Sequence, residues 1–201
     1  MEFVKEFVTF LHQKEIIKFG DFTLASGKSS SYYVDLRLVP SYPQEFRMMV
    51  KYLENQITKD IGLENFESIV SVPTGGLVIA SALAIETVKP LIYVRSKPKD
   101  YGTSKSVEGK IHDGMKVVMI DDVATTGGSV LNATKSLTEV NVPVKDAYVI
   151  VDRMEGATEA LQELGVKMHS ILNILQIAEV LYEQKLIGVD ILNKVKQQIS
   201  K

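Results

Sequence analysis

From residue 68 onward the chain alternates short apolar, β-prone runs with stretches long enough for helices, and that alternation leaves few folds open. Residues 68–72, 91–94, 116–120 and 144–151 read as strands; residues 77–87, 129–139 and 157–164 read as helices. Neighbouring strands joined through a helix run parallel, because a parallel pair needs a long crossover. The spacing therefore predicts an α/β fold: a central, mostly parallel sheet flanked by helices. One stretch, residues 96–114, is polar and dotted with glycine, and has neither the helix nor the strand period.

Ahead of this core, Phe3, Val4, Phe7, Val8 and Leu11 recur at helical spacing. A β-prone run over 16–24, a polar turn over 25–31 and Tyr32-Tyr33-Val34-Asp35 then predict a small N-terminal hairpin or hood. Ser41 before Pro43 marks a helix start, with Phe46, Met49, Val50, Leu53 and Ile57 on its apolar face. Two further helices follow from Ile174. At 201 residues a single domain is expected, with the hood over 1–40 and the α/β core over 68–170.

Composition narrows the chemistry mainly by exclusion. The chain has no cysteine, which removes disulfides and thiolate metal sites. Its formal net charge of -2 gives no global pull toward nucleic acid or an anionic membrane. No signal-like segment or long apolar run occurs, so a cytoplasmic location without membrane contact is expected. The three histidines, His12, His112 and His169, are scattered, and none has a partner carboxylate at a meaningful sequence spacing. Tyr32 and Tyr33 suit a core or interface as well as a base, and Lys194, Lys196 and Lys201 read as a solvated helix face.

The most informative segment is VVMIDDVATTGGSV, residues 117–130. An apolar strand ends in two acids, Asp121 and Asp122, and a loop of small residues leads into a helix. Ligands of open parallel sheets bind at the carboxyl ends of the strands. Such a loop offers closely spaced N–H groups, hydroxyls and a helix N-terminus to a phosphate, and its glycines allow close approach. Two adjacent carboxylates can accept hydrogen bonds from paired sugar hydroxyls, or hold magnesium through water. Phosphate donors beside hydroxyl acceptors suit a ribose 5-phosphate. A nucleotide hydrolase would instead need GxxxxGK[ST]. Gly27-Lys28-Ser29 mimics its tail, but the first glycine is missing: position 22 is Phe22, and Gly20 is two residues early.

The strand–acid–acid–TTGGS segment resembles the phosphoribosyl pyrophosphate (PRPP) motif of type I phosphoribosyltransferases. Three further segments resemble the orotate enzymes of that family. They are the loop YVRSKPKDYGTSKSVEG over 93–109, Asp152-Arg153 after the next strand, and FTLASGKSSSYYVD over 22–35. The resemblance spans roughly residues 15–185, with its motifs in family order. It implies transfer of phosphoribosyl from PRPP to orotate, giving orotidine 5′-monophosphate and pyrophosphate in UMP synthesis. Magnesium (Mg2+) would be carried by the diphosphate, without a directly assigned protein ligand. The enzyme would be a homodimer in which the 95–110 loop acts in trans.

The same resemblance assigns roles. Asp121 and Asp122 match ribose-hydroxyl acids, and Val123, Ala124, Thr125, Thr126, Gly127, Gly128 and Ser129 form the PRPP phosphate segment. Arg95 matches a pyrophosphate-binding arginine and Lys99 the catalytic loop lysine. Thr125 and Arg153 match orotate contacts, Arg153 facing its carboxylate. Tyr101 stands where the family's loop has histidine; it donates a hydrogen bond but has no positive charge near neutral pH. Some members carry lysine at the positions of Ala25, Gly75 and Ser96, so no charge-based role falls on these.

The loop also has a physical logic of its own. Arg95, Lys97, Lys99, Lys105 and Lys110 face Asp100 and Glu108, with Gly102 and Gly109 to permit movement. Cations placed where pyrophosphate departs lower the barrier, and a closing loop keeps water from an oxocarbenium-like centre. A purine acceptor is the nearer rival, against which Arg153 argues because a guanidinium suits a carboxylate. A nucleic-acid-binding regulator is the more distant one, against which the lack of a basic excess argues.

Overall fold

A computed structural model describes residues 2–23, 27, 29–95 and 106–200. Along the chain come α1 (Glu2–Gln13), β1 (Ile17–Thr23), β2 (Ser29–Val34), α2 (Pro43–Asp60), β3 (Ser68–Ser71), α3 (Gly75–Thr87) and β4 (Leu91–Val94). Then follow β5 (Val107–Glu108), β6 (Val117–Ala124), α4 (Gly128–Thr138), β7 (Val144–Asp152), α5 (Ala157–Gln162), β8 (Lys167–Asn173), α6 (Ile174–Glu183) and α7 (Val189–Ile199). Residues up to Phe46 and from Leu172 onward form one compact unit; Arg47–Ile171 forms the other.

In the larger unit the six strands described lie in the order β5-β4-β3-β6-β7-β8. β3 pairs parallel with β4 and with β6, and β6 parallel with β7. β5 pairs antiparallel with β4. The expected α/β class with a mostly parallel sheet is what the chain adopts. The central strands are buried on both faces, so β3 (SIVS) is buried at every position and the first half of β6, Val117–Ile120, is a continuous apolar run. Val70, Ile92, Met119, Leu137, Ala147 and Leu161 interlock in the core.

Three departures from the sequence reading have physical causes. β6 does not stop at Ile120. It runs on through both aspartates to Ala124, because its backbone keeps pairing with β7, Asp121 opposite Val149 and Ala124 opposite Asp152. β5 lies inside the stretch that had no period; two residues suffice to pair with β4, too few to print an alternation. β8 sits at the sheet edge and buries only Ile171 and Leu172 fully, so it has no clean period either.

Two histidines also find the carboxylates that sequence spacing did not offer. His169 stacks on Tyr148, centroids 4.4 Å apart, with Nε2 2.9 Å from Asp146 and Nδ1 3.3 Å from Asp60. The Tyr148 hydroxyl donates to the same Asp60 carboxylate. His112 Nε2 lies 2.9 Å from Glu67, and that contact raises its pKa. These partners lie 23 or more residues away along the chain and are brought together only by the fold.

The smaller unit gathers both ends of the chain. β1 and β2 form the expected antiparallel hairpin, Ile17 opposite Val34. Phe3, Phe7 and Phe10 stack along α1, which packs on α6, and α7 packs on α6 and on β2. Gln198 of α7 accepts hydrogen bonds from the backbone and hydroxyl of Ser31. Among the described residues, no helix is long and apolar enough to cross a membrane.

Candidate active site

The parallel strands end on one side of the sheet, and three of the four lead into site residues named above. β3 runs into Val72-Pro73-Thr74-Gly75-Gly76, β4 into Arg95, β6 carries Asp121 and Asp122, and β7 ends at Asp152 before Arg153. Register staggers these ends: β3 finishes at Ser71, opposite Ile120, whereas β6 and β7 run on to Ala124 opposite Asp152, and the Arg153 N–H donates to the Ala124 carbonyl at 2.9 Å.

Asp121 is 6% exposed, and Asp122 is half-buried beside it. An Asp121 carboxylate oxygen accepts the Asp122 backbone N–H at 2.9 Å. Burial pushes the Asp121 carboxyl well above the usual carboxylate range, and the charge of Asp122 pushes the same way. The start of α3 lies against this pair, with Gly76 beside Asp121 and Gly75 beside Asp122.

After β6 the chain turns at Gly127 and enters α4. Gly127 has φ +75°, a left-handed conformation that side chains resist, and Ala157 of α5 packs against it. It is the N-cap of α4, where no side chain bonds to the first turn. The orphan N–H groups of that turn, with Thr126, Gly128 and Ser129 exposed and Thr125 half-buried, leave an open anion cradle. Val123 is half-buried and Ala124 buried, continuing the strand below it.

Arg153 is 6% exposed. Its guanidinium meets Glu155 through Nε at 3.0 Å and Nη2 at 2.9 Å. Arg95 stands at the mouth of the basic loop, with its backbone N–H donating to the Ser106 carbonyl and its Nη1 3.5 Å from Glu108. Sequence reasoning missed both acidic partners: Glu155 lies two residues past Arg153 with no motif to mark it, and Glu108 read only as one charge of a polar loop. Lys99 and Tyr101 lie outside the described residues. A cleft of about 240 Å³, lined by Phe66, Lys116, Pro143 and Lys145, lies instead by the strands' amino ends and holds none of these groups.

A model of the phosphoribosyl transferase domain matches residues 43–179. The orotate phosphoribosyltransferase of Cenarchaeum symbiosum is 47% identical over 196 residues, 98% of each chain. The chain belongs to the orotate phosphoribosyltransferase family. Solved structures agree. The orotate phosphoribosyltransferase of Aeropyrum pernix matches 90% of this chain and 99% of its own, with TM-score 0.76 and 33% identity. Leishmania donovani UMP synthase, a longer protein, matches 98% of this chain over 42% of its own length, with TM-score 0.83 and 30% identity. The region matched by the family model contains the acid pair, the glycine turn and Arg153.

The buried acid gives a pH test. A carboxyl whose folded-state pKa lies above its unfolded value of about 3.9 destabilises the fold as pH rises from that value toward the folded one. Asp121→Asn keeps an acceptor for the Asp122 N–H and removes the charge. Its melting temperature is expected above that of the unsubstituted protein near pH 7, with the difference closing below about pH 4. A variant no more stable near pH 7, or a gain unchanged at the acid end, would contradict the buried-acid reading.

Proposed function

We propose that this chain transfers a phosphoribosyl group from PRPP to orotate, releasing pyrophosphate and forming orotidine 5′-monophosphate for UMP synthesis. The observation that carries the reading is the convergence, at one edge of the parallel sheet, of an acid pair, an uncapped glycine-led helix start and a buried arginine. Each suits one part of the two substrates. Asp121 and Asp122 accept hydrogen bonds from the ribose hydroxyls. Residues 125–129 receive the 5-phosphate, with N–H groups pointing into the cradle. Arg153 meets the orotate carboxylate with a charge-assisted hydrogen bond, and Thr125 follows Ala124, whose carbonyl accepts the Arg153 N–H.

In the reaction a ring nitrogen of the orotate anion bonds to the anomeric carbon while the carbon–oxygen bond to pyrophosphate breaks. The electron pair leaves with the pyrophosphate. Arg95, and Lys99 and Tyr101 from the loop, receive that growing charge. The protein acts by position and electrostatics, without a covalent intermediate. Among the described residues no cluster of three or more His, Cys, Asp or Glu is placed to hold a metal. Two carboxylates suit a magnesium ion that arrives with the diphosphate, since this ion is bound by one or two carboxylates plus substrate phosphates. When bound, magnesium neutralises charge on the diphosphate. We place the enzyme in the cytoplasm as a homodimer whose 95–110 loop completes the partner's site. The buried guanidinium of Arg153 favours orotate over a neutral purine acceptor.

Given PRPP, magnesium and a panel of bases, the protein is expected to consume orotate and to leave hypoxanthine and adenine. Arg153→Ala should weaken orotate binding roughly tenfold or more, the worth of one charge-assisted hydrogen bond, and leave PRPP binding nearly unchanged. Purine turnover without orotate turnover, or equal losses for both ligands, would overturn the assignment.

The trans arrangement has its own test. Lys99→Ala and Asp122→Asn homodimers should both be nearly inactive. Refolded together in equal amounts, they form mixed dimers in which one site carries both lesions and the other neither. About a quarter of wild-type activity should return. Mixed dimers demonstrated by mass spectrometry but without activity would mean that Lys99 serves its own subunit.

A further inference from the structure

We propose that Glu155 is a positioning residue whose carboxylate sets the plane of the Arg153 guanidinium, and so where an acceptor base must carry its own carboxylate. This deepens the reading of Arg153 as the orotate contact and rests on it. Glu155 Oε1 sits in the notch between Nε and Nη2, 3.0 Å from the one and 2.9 Å from the other. Hydrogen bonds from two nitrogens of one planar group to a single charged oxygen fix direction as well as distance. A guanidinium has more N–H donors than one carboxylate oxygen takes up, so Glu155 orients the arginine without exhausting it. The two side chains are only 7% and 18% exposed, which leaves water little access to the pair.

The local chain is shaped to make this contact. β7 ends at Asp152, and the Arg153 N–H donates to the Ala124 carbonyl of β6. Met154 then takes φ +58°, a left-handed conformation uncommon outside glycine. The Asp152 carboxylate accepts the Met154 N–H at 2.8 Å and holds the chain in that turn. The turn brings Glu155 back onto the arginine two residues before it. Gly156, at φ +96°, leads into α5, whose Ala157 packs against Gly127 at the start of α4. Arg153 is thus fixed twice. The sheet holds its backbone, and a carboxylate on an anchored turn holds its guanidinium.

Removing that carboxylate strands a buried cation, which is costly, and the long side chain can turn away toward water or another acid. The test compares the unsubstituted protein with Glu155→Ala, Glu155→Gln, Arg153→Ala and the double variant Glu155→Ala/Arg153→Ala. Orotate turnover is followed with magnesium at saturating PRPP, PRPP dependence at saturating orotate, and each protein is melted. Glu155→Ala should raise the KM for orotate roughly tenfold, approaching the loss in Arg153→Ala, and leave the KM for PRPP within about twofold. Glu155→Gln keeps an oxygen that accepts from the guanidinium, and should hold the orotate KM within about threefold of the unsubstituted value. In the Arg153→Ala background, Glu155→Ala should change that KM by less than about twofold. Glu155→Ala should also lower the melting temperature. The double variant should melt no lower than Glu155→Ala, because the stranded charge has gone with the arginine. A Glu155→Ala protein that fails to fold, beside a double variant that folds, is the same result in stronger form, and Glu155→Gln then carries the KM comparison.

A lower orotate KM in Glu155→Ala overturns the inference, since Glu155 then competes with orotate for the arginine. So does a loss confined to kcat with both KM values unchanged, which marks a residue that only supports the fold. A double variant that melts below both single variants, or does not fold, overturns it as well. If the unsubstituted protein turns over no orotate, the functional reading fails instead. The melting temperatures still decide whether Glu155 holds the guanidinium.

Discussion

Two adjacent carboxylates repel each other, and here one of them has also been withdrawn from water. Asp121 is buried under the start of α3 while Asp122 stands beside it, and burial raises the pKa of Asp121 well above the usual carboxylate range. Such a pair keeps its geometry only if the backbone beneath it cannot relax. β6 meets that demand by pairing with β3 as far as Ile120 and with β7 past the acids to Ala124. The bare turn at Gly75-Gly76 leaves the space into which the carboxylates project. Stability given up at such a spot is the usual companion of a working site.

The cations show a complementary arrangement. Arg153 and Arg95 reach the same edge of the sheet already engaged, one with Glu155 and the other with Glu108. An acidic neighbour holds each guanidinium in one orientation while its charge is still able to attract an anion. A buried arginine without such a neighbour would carry an uncompensated charge, at a cost of several kcal/mol. On the proposed reading, orotate and pyrophosphate join charge networks that are oriented before they arrive, which is how an enzyme lowers a barrier without moving at the moment of reaction.

What was legible in the sequence was what is local. The alternation of strands and helices from residue 68 onward made the parallel sheet legible, and strand, acids, glycine turn and helix follow one another within residues 117–130, so the acid pair and the glycine-led helix start could be read from order alone. Arg153, after the next strand, stood out through the resemblance to the orotate enzymes. The rest depends on the fold. His169 takes its carboxylates from Asp146 and Asp60, on separate elements. Gln198 closes onto Ser31 from the far end of the chain. β5 and β8 bury too little to impose a period. Gly75 drew notice only as a position where some members carry lysine, until Asp122 was placed against it.

The central claim is that the carboxyl end of the sheet, with Asp121, Asp122 and the start of α4, holds a ribose 5-phosphate. A crystal structure with orotidine 5′-monophosphate bound tests it most directly. The account expects both ribose hydroxyls within hydrogen-bond distance of the Asp121 and Asp122 carboxylates, and the 5-phosphate on the N–H groups of residues 125–129. A nucleotide bound with its phosphate elsewhere, or with the acid pair touching no part of the sugar, would contradict it.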